Sequence, residues 1–293
     1  MDPEAVLKKV RASKEIPTLG PVVGEVLRLG ADPNANFRSV SKVIARDPAL
    51  TARVLRVANS PYYGLRGEVA TVEKAVGLLG LAEVRNIALS VSVISDLTIR
   101  FAKSGFNWDR FWEHSTGCAL ICQVLGRLVS LSIGGEEYVG GLLHDVGKIL
   151  LGHHFPEEFE QALELAAVHG LTMEAAEKRV FGLGHAKLGE WLAHRWGFPA
   201  SIQAAIAWHH EPGEAKEGQA LAAVVHLADI LTKAKSIGFG GDFVAVCLAD
   251  DPAWGLLCRS RGRLPTLDVE RFTFQLDREV DAARELLRTA RAK

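Results

Sequence analysis

The sequence predicts an all-helical protein. Apolar residues recur at steps of three and four positions through most of the 293 residues, which is the periodicity of helices that bury one face. Alternating apolar and polar runs bounded by hairpin dipeptides such as Asn-Gly or Asp-Gly are missing from the sequence, so β-hairpins are not indicated. Helix-capping residues also border several of the periodic segments, which supports the same fold class.

A helix is predicted directly after Asp47. Asp47 is a favourable N-cap, and the proline that follows it suits the first turn of a helix. The helix is expected to end near residues 59–61, where the sequence Asn-Ser-Pro is typical of a turn. Its predicted buried side consists of Leu50, Val54, Leu55 and Ala58.

The next helix is predicted between Thr71 and Gly80. Thr71 can cap the segment VEKAVGLLG, and Gly80 lies where the C-terminus of a helix favours a residue that tolerates a positive φ. Pairs of helices are therefore expected to make up the first hundred residues.

Two changes in composition divide the chain into three predicted segments. The stretch SGFNWD at 104–109 is a plausible joint, after which a strongly apolar helix begins at FWEHS, and the glycine-rich IGFGGD at 237–242 marks a second boundary. The predicted segments are an N-terminal helical bundle at 1–103, a helical core at 104–235 and a C-terminal helical extension at 236–293. A terminal amphipathic helix is expected at 268–293.

Composition excludes several classes of partner. The 34 basic residues nearly balance the 35 acidic ones, giving a net charge of -1, so neither DNA binding nor attraction to an anionic membrane is expected. The four cysteines form no C-x-x-C pair, and neither a zinc knuckle nor a disulfide framework is indicated. No apolar segment typical of a secretion signal or long enough to cross a membrane is evident, so a cytoplasmic protein is expected.

Seven ionisable side chains stand in or beside apolar helical segments of the second region. An ionised carboxylate in such surroundings is costly unless a cation or strong donor compensates it, and a metal ion would do so. None of the gaps between these positions is a local chelate spacing, so a site would require several helices to point their ligands into one bundle core. For a single histidine, a structural role remains the alternative. The residues are His114, His144, Asp145, His185, His209, His210 and Asp229.

The order H, HD, H, HH, D on predicted helices resembles the HD superfamily of metal-dependent phosphohydrolases, which includes the HD-GYP branch. The preceding IPTL, DPAL and NSPYYG elements, followed by GLLHDVGK, resemble the HDOD family, the HD-related output domain of bacterial signalling proteins. Together the resemblance covers residues 12–235. It implies an all-helical bundle packed on an HD-type core and a role in signal transduction.

The resemblance also implies a dinuclear metal site. One divalent ion would be held by His114, His144, Asp145 and Asp229, and a second by Asp145, His185, His209 and His210, with Asp145 bridging. Nitrogen and oxygen ligands without thiolates suit iron, manganese, cobalt or zinc, and the resemblance favours iron or manganese.

The candidate catalytic residues are Asp145 and, beside it, Lys148. Lys148 stands three positions after Asp145, on nearly the same face of a helix, where it could neutralise a phosphate oxygen. The alternative is an ordinary exposed lysine. His226 is predicted to have a surface or packing role, and Trp208 is predicted to pack in the helix bundle rather than to stack on a base.

Three functions remain open at this point. The first is a regulatory module that binds a protein partner and in which the metal ions chiefly hold helices together, with a nucleotide or phosphate as a potential ligand. The second is an active phosphohydrolase on a nucleotide or cyclic dinucleotide. The HHEP sequence at 209–212 is not followed by a GYP signature, which argues against hydrolysis of cyclic di-GMP in particular. The third is a helical scaffold without metal.

Overall fold

The computed structural model of this chain describes residues 1–30, 37–101, 106–131, 135–242 and 251–261, together with 276–278, 281, 284 and 288. Within these residues all regular structure is helical, which confirms the predicted all-α class. A short 3₁₀ helix lies at Pro212–Glu214. The α-helices are α1 (Pro3–Ala12), α2 (Pro21–Gly30), α3 (Phe37–Ile44), α4 (Pro48–Ala58), α5 (Val72–Leu79), α6 (Leu81–Phe101), α7 (Trp108–Leu128), α8 (Glu136–Leu143), α9 (Gly147–His154), α10 (Pro156–His169), α11 (Met173–Phe181), α12 (His185–Arg195), α13 (Ala200–Trp208), α14 (Gln219–Ala234) and α15 (Pro252–Arg261).

The predicted start and end of α4 are confirmed. The carboxylate of Asp47 accepts a hydrogen bond from the backbone N–H of Leu50 at 2.9 Å, and the helix ends at Ala58. The buried side differs slightly from the prediction, because Leu55 is only half-buried while Val57 is buried. Which of these two positions is buried depends on where the neighbouring helices lie. The periodicity of the sequence alone does not give that direction.

The caps predicted for α5 are also confirmed. Thr71 Oγ1 accepts from the backbone N–H of Lys74 at 3.1 Å, and Gly80 follows the helix with a φ of 90°. By contrast, α7 begins at Trp108, three residues before the predicted start. The side chain of Asn107 caps it by accepting from the N–H of Arg110 at 3.0 Å.

Helix α6 joins the N-terminal helices to those that carry the conspicuous histidines. It packs against α2, α4 and α5, and also against α7, α8 and α9. Helix α1 packs against α9. The segment limits at 103/104 and 235/236 stay predictions. The amphipathic helix predicted at 268–293 lies mostly outside the described residues, although 276–278, 281, 284 and 288 are helical.

The helices around the candidate site pack closely. Helix α7 lies against α8 and α14, and α12 lies against α9 and α13. The contact of α9 with α12 depends on Gly147, because a Cβ atom there would stand 2.0 Å from the carbonyl oxygen of His185. Among the helices of the described residues, none combines the length and apolar character needed to cross a bilayer.

Candidate metal centre

The structure brings all seven predicted ligands together in one buried cluster. They come from five places in the fold: the first half of α7, the turn between α8 and α9, the first residue of α12, the two residues after α13, and the middle of α14. Six of the seven residues are buried, and the His210 side chain is 21% exposed. The cluster comprises His114, His144, Asp145, His185, His209, His210 and Asp229.

One half of the cluster is formed by His114, His144 and Asp229, whose ligand atoms all lie within 4.8 Å of one another. Asp229 Oδ1 stands 3.1 Å from His114 Nε2 and 3.9 Å from His144 Nε2. Asp145 Oδ2 faces the same space, at 3.3 Å from His144 Nε2 and 3.7 Å from His114 Nε2. We call these groups the His114 half.

The other half is formed by His185, His209 and His210. The Nε2 atom of His185 stands 3.3 Å from that of His209 and 3.1 Å from that of His210. Asp145 Oδ1 faces this group, at 2.9 Å from His185 Nε2 and 3.8 Å from His209 Nε2. The two oxygens of Asp145 are therefore shared between this His185 half and the His114 half.

Three of the imidazoles are held in the tautomer that a metal ligand needs. The Nδ1 of His144 lies 2.7 Å from the carbonyl oxygen of Gly141, and the Nδ1 of His209 lies 2.8 Å from that of Ile206. A carbonyl oxygen can only accept, so each Nδ1 carries a proton, and Nε2 is the atom that presents a lone pair once the ring is neutral. His185 is held in the same way by an acid. Such bonds to the outer ring nitrogen are typical of histidines that bind metals.

The inner atoms of the cluster fit a cation between them. His185 Nε2 and His209 Nε2 face each other at 3.3 Å, and two lone pairs at that distance repel unless a proton or metal ion lies between them. Two ligands about 2.1 Å from one ion and about 90–110° apart stand about 3.0–3.4 Å from each other. The shorter distances in both halves lie in or near this range. Within the described part of the chain, four inner atoms make no hydrogen bond of good geometry, although the closest pairs among them and His185 stand 2.9–3.1 Å apart. These atoms are His114 Nε2, His144 Nε2, Asp145 Oδ1 and Asp229 Oδ1.

Both carboxylates of the cluster are ionised. Burial by itself raises the pKa of Asp145, but His144 and Lys148 outweigh burial and hold the pKa well below its usual range. The same balance applies to Asp229, where Lys233 opposes burial and the pKa is again held well below its usual range. The centre therefore contains two negative charges that attract cations.

The imidazoles divide into two kinds. Burial holds the pKa of His114, His209 and His210 below the usual value, so these rings are neutral. Burial also lowers the pKa of His185, but nearby carboxylates outweigh it and raise the pKa to about 9. Asp145 likewise raises the pKa of His144 well above its usual value against the effect of burial. Without a metal ion, protons on these two rings balance the carboxylates.

Lys148 is buried, so the alternative of an exposed helix lysine is wrong. Its Nζ donates to Asp145 Oδ2 at 2.6 Å and to the carbonyl oxygen of Gly240 at 2.7 Å. Asp145 lies in the turn between α8 and α9, not on the same helix as Lys148. The ammonium group is thus close to the candidate site, where it orients Asp145.

Two residues that support the predicted ligands were not predicted from the sequence. Glu177 in α11 is fully buried and accepts from His185 through both the backbone N–H, at 2.7 Å, and Nδ1, at 2.6 Å. Lys233 lies 2.9 Å from Asp229 Oδ2 and 3.1 Å from Asp242 Oδ1. Lys233 follows Asp229 by four residues on one helix, and this spacing could have predicted their ion pair. No comparable signal links Glu177 to His185.

His226 and Trp208 also lie beside the cluster. His226 supports it, because its Nδ1 lies 2.6 Å from the carbonyl oxygen of His209 and its Nε2 lies 3.0 Å from Asp251 Oδ2. The packing predicted for Trp208 is only partial, because the residue is 38% exposed at the end of α13. Because α13 is largely apolar, its sequence does not indicate which residue of the last turn is exposed to solvent.

A cavity of about 210 Å³ opens beside His210 and Trp208. Two lysines line it, but each is already paired with carboxylates: Lys178 with Glu174 at 3.3 Å, and Lys187 with Glu190 at 2.6 Å. Glu211 adds a third carboxylate to the lining. The cavity is smaller than the roughly 300–1,000 Å³ usual for small-molecule sites, and its charge does not favour an anion.

The fold and this cluster define a class of protein: a helical protein with an HD-type arrangement of histidines and aspartates. Comparison with known families agrees. Residues 16–212 match the family model of the HDOD domain, and the chain belongs to the HDOD family. The match covers most of the region in which the sequence resembles that family.

Solved structures of the same fold extend over nearly the whole chain. An HDOD domain protein of unknown function from Geobacter sulfurreducens is 29% identical, with a TM-score of 0.85, and the match covers 97% of this chain and 98% of that one. A protein from Shewanella amazonensis, provisionally described as a phosphohydrolase, is 24% identical with a TM-score of 0.70 over 96% of this chain and 98% of that one. At that identity the likeness shows the fold alone.

A further relative is longer than this chain. A Treponema pallidum protein without an assigned function is 24% identical over 203 residues, which are 69% of this chain and 39% of the relative. This chain thus spans about two fifths of the length of that curated relative.

Proposed function

We propose that this HDOD protein is a regulatory module of signal transduction whose core binds divalent metal ions that hold its helices together. The observation that carries the proposal is the convergence of imidazole nitrogens and ionised carboxylates in a buried space, where four inner atoms make no hydrogen bond of good geometry with any residue that the structure describes. An ion there would compensate charges that are costly to bury alone.

Two ions are proposed, one in each half, with Asp145 between them. The ligands are nitrogens and oxygens without a thiolate, a set that accepts iron, manganese, cobalt or zinc. Iron or manganese is preferred from the resemblance to HD enzymes. Each ion would join helices that are distant in sequence: α7 and α14 to the α8–α9 turn in the His114 half, and α12 to the end of α13 in the His185 half.

Two features favour regulation over turnover. Lys148 already donates to Asp145 and Gly240, so its charge is not available to a phosphate group without rearrangement. The cavity at His210 is about 210 Å³ and has more carboxylates than ammonium groups. A module of this kind acts by contacting a regulatory protein partner.

Elemental analysis tests the proposal most directly. Protein purified without chelators, or reloaded with iron, manganese, cobalt or zinc, is expected to contain two ions per chain. Chelation should lower the melting temperature, because an ion present at about 1,000 times its Kd stabilises the folded state by about 4 kcal/mol. One ion per chain would contradict the dinuclear form. No ion after reloading would overturn the proposal and favour a metal-free scaffold.

An active phosphohydrolase is the alternative function, and the sharing of Asp145 between two groups of nitrogens favours it. Two bound ions would polarise a phosphate ester and supply hydroxide at neutral pH. The test is a panel of nucleotides and cyclic dinucleotides with iron or manganese under reducing conditions, with Asp145→Ala as the comparison. Turnover that Asp145→Ala abolishes would establish the enzyme, whereas equal rates in both proteins would eliminate it.

A further inference from the structure

The glycine-rich segment 236–242 lies across the metal centre, although its sequence is typical of a boundary between segments. We call this segment, which directly follows α14 and its C-cap Lys235, the strap. Most of it is buried, and Phe239 is only partly exposed. The buried residues of the strap are Ile237, Gly238, Gly240, Gly241 and Asp242.

Hydrogen bonds hold the strap at its middle and at its end. In the middle, the backbone N–H of Phe239 donates to the carbonyl oxygen of Arg110 in α7, and the Arg110 guanidinium donates to the carbonyl oxygen of Gly238, both at 2.9 Å. At its end, Asp242 accepts from the backbone N–H of Met173 at 2.8 Å. These bonds join the strap to α7, which carries His114, and to α11, which carries Glu177.

Gly240 places the strap directly against the coordinating atoms. Its carbonyl oxygen accepts from Lys148 Nζ at 2.7 Å. A Cβ atom on Gly240 would stand 3.0 Å from His114 Nε2 and 3.2 Å from Asp145 Oδ2. These distances are shorter than ordinary van der Waals contact, so a side chain at this position would press the strap away from the His114 half. The cavity beside His210 lies next to the His185 half instead.

The two halves therefore differ in access. In the His114 half, the strap backbone fills the space next to the inner atoms and accepts from Lys148, one of the two lysines that contact the carboxylates of this half. In the His185 half, the His210 side chain reaches solvent. An incoming anion meets the strap at the first half and a predominantly acidic lining at the second.

We propose that the strap is a closed gate over the His114 half, which slows exchange of the ion held there and keeps phosphate groups from it. This inference rests on the proposed metal centre. Opening the strap would free Lys148 and expose coordination positions without removing any ligand. The strap would thus be the element through which this module is regulated.

Cobalt-loaded protein provides the test, because the visible absorption of Co²⁺ reports both its release and its ligands. The variants are Arg110→Ala, which removes one fastening, and Gly240→Ala, whose methyl group prevents close approach. Arg284→Ala is the matched control. It removes an ion pair of 2.9 Å with Glu113, which lies on the same helix as Arg110. Both strap variants should release Co²⁺ to EDTA about tenfold faster than wild type, as expected for easier local opening. Inorganic phosphate should change the Co²⁺ spectrum of these variants only.

The outcomes separate the two proposals. Failure of the wild type to bind Co²⁺ would contradict the metal centre itself. Binding of Co²⁺ with equal release rates in the wild type and both strap variants would overturn the gate, as would a phosphate effect of equal size in the wild type. If Gly240→Ala does not fold, Arg110→Ala decides. Hydrogen exchange of the Phe239 amide in the metal-free protein gives an independent measure, and it should be faster in Arg110→Ala than in the control.

Discussion

Glu177 and His185 are joined by two hydrogen bonds to one carboxylate oxygen. Glu177 Oε2 accepts from the backbone N–H of His185 at 2.7 Å and from its Nδ1 at 2.6 Å. The first bond fixes the start of α12, and the second fixes both the rotation of the imidazole and its tautomer. A buried acid on α11 therefore decides where His185 Nε2 points.

Replacing Glu177 by glutamine is expected to weaken metal binding about 10- to 100-fold, the range usual for loss of such a supporting group. The neutral amide can still accept a hydrogen bond, but it no longer strengthens the imidazole as a donor to the ion. Competition with a chromophoric chelator measures the affinity. Glu164→Gln, at an exposed position on α10, is the matched control. Equal affinities in both variants would show that Glu177 has no such role.

Metal binding is expected to strengthen as the pH rises toward about 9. Buried carboxylates keep the pKa of metal-free His185 at about 9, so this ring is protonated at neutral pH and must lose its proton when an ion binds. Each displaced proton changes the apparent affinity about tenfold per pH unit. Calorimetry of Co²⁺ binding at pH 7, in two buffers with different ionisation enthalpies, measures the protons released. Binding without proton release would contradict this protonation state.

Lys233→Met should destabilise the metal-free protein more than the metal-loaded protein. Lys233 lies between Asp229 and Asp242, and removing one partner of a buried ion pair costs about 3–5 kcal/mol. A bound ion would compensate part of this loss by neutralising Asp229. Urea unfolding with and without Co²⁺ measures the difference. The control is Lys235→Met, which breaks an exposed pair with Asp277 and should cost less than about 1 kcal/mol.

Gly147→Ala is expected to separate α9 from α12. The added Cβ would stand 2.0 Å from the carbonyl oxygen of His185, and overpacking of this kind costs about 1–3 kcal/mol or more. Metal affinity should fall as well, because His185 would shift away from Asp145. Gly77→Ala is the control, since its Cβ meets nothing within 4 Å and alanine is favoured over glycine in a helix by about 1 kcal/mol. Similar unfolding curves for the two variants would refute the close contact.

Much of the helical framework could be predicted from the sequence, because its signals are local. A cap such as that of Asp47 on Leu50 connects residues three positions apart, and so does the cap of Thr71 on Lys74. The face that a helix buries depends on its neighbours, which is why Val57 replaced Leu55 in the buried side of α4.

The sequence by itself determined which residues form the cluster, because ionisable side chains in apolar helices need compensation wherever the chain folds. Only the tertiary structure decided how they are held. Glu177 meets His185 across a turn, Lys148 is buried against Asp145, and the strap crosses the His114 half through Gly240. The Lys148–Gly240 contact joins residues 92 positions apart, and no local pattern encodes the distance between two backbones that meet only when the helices have packed.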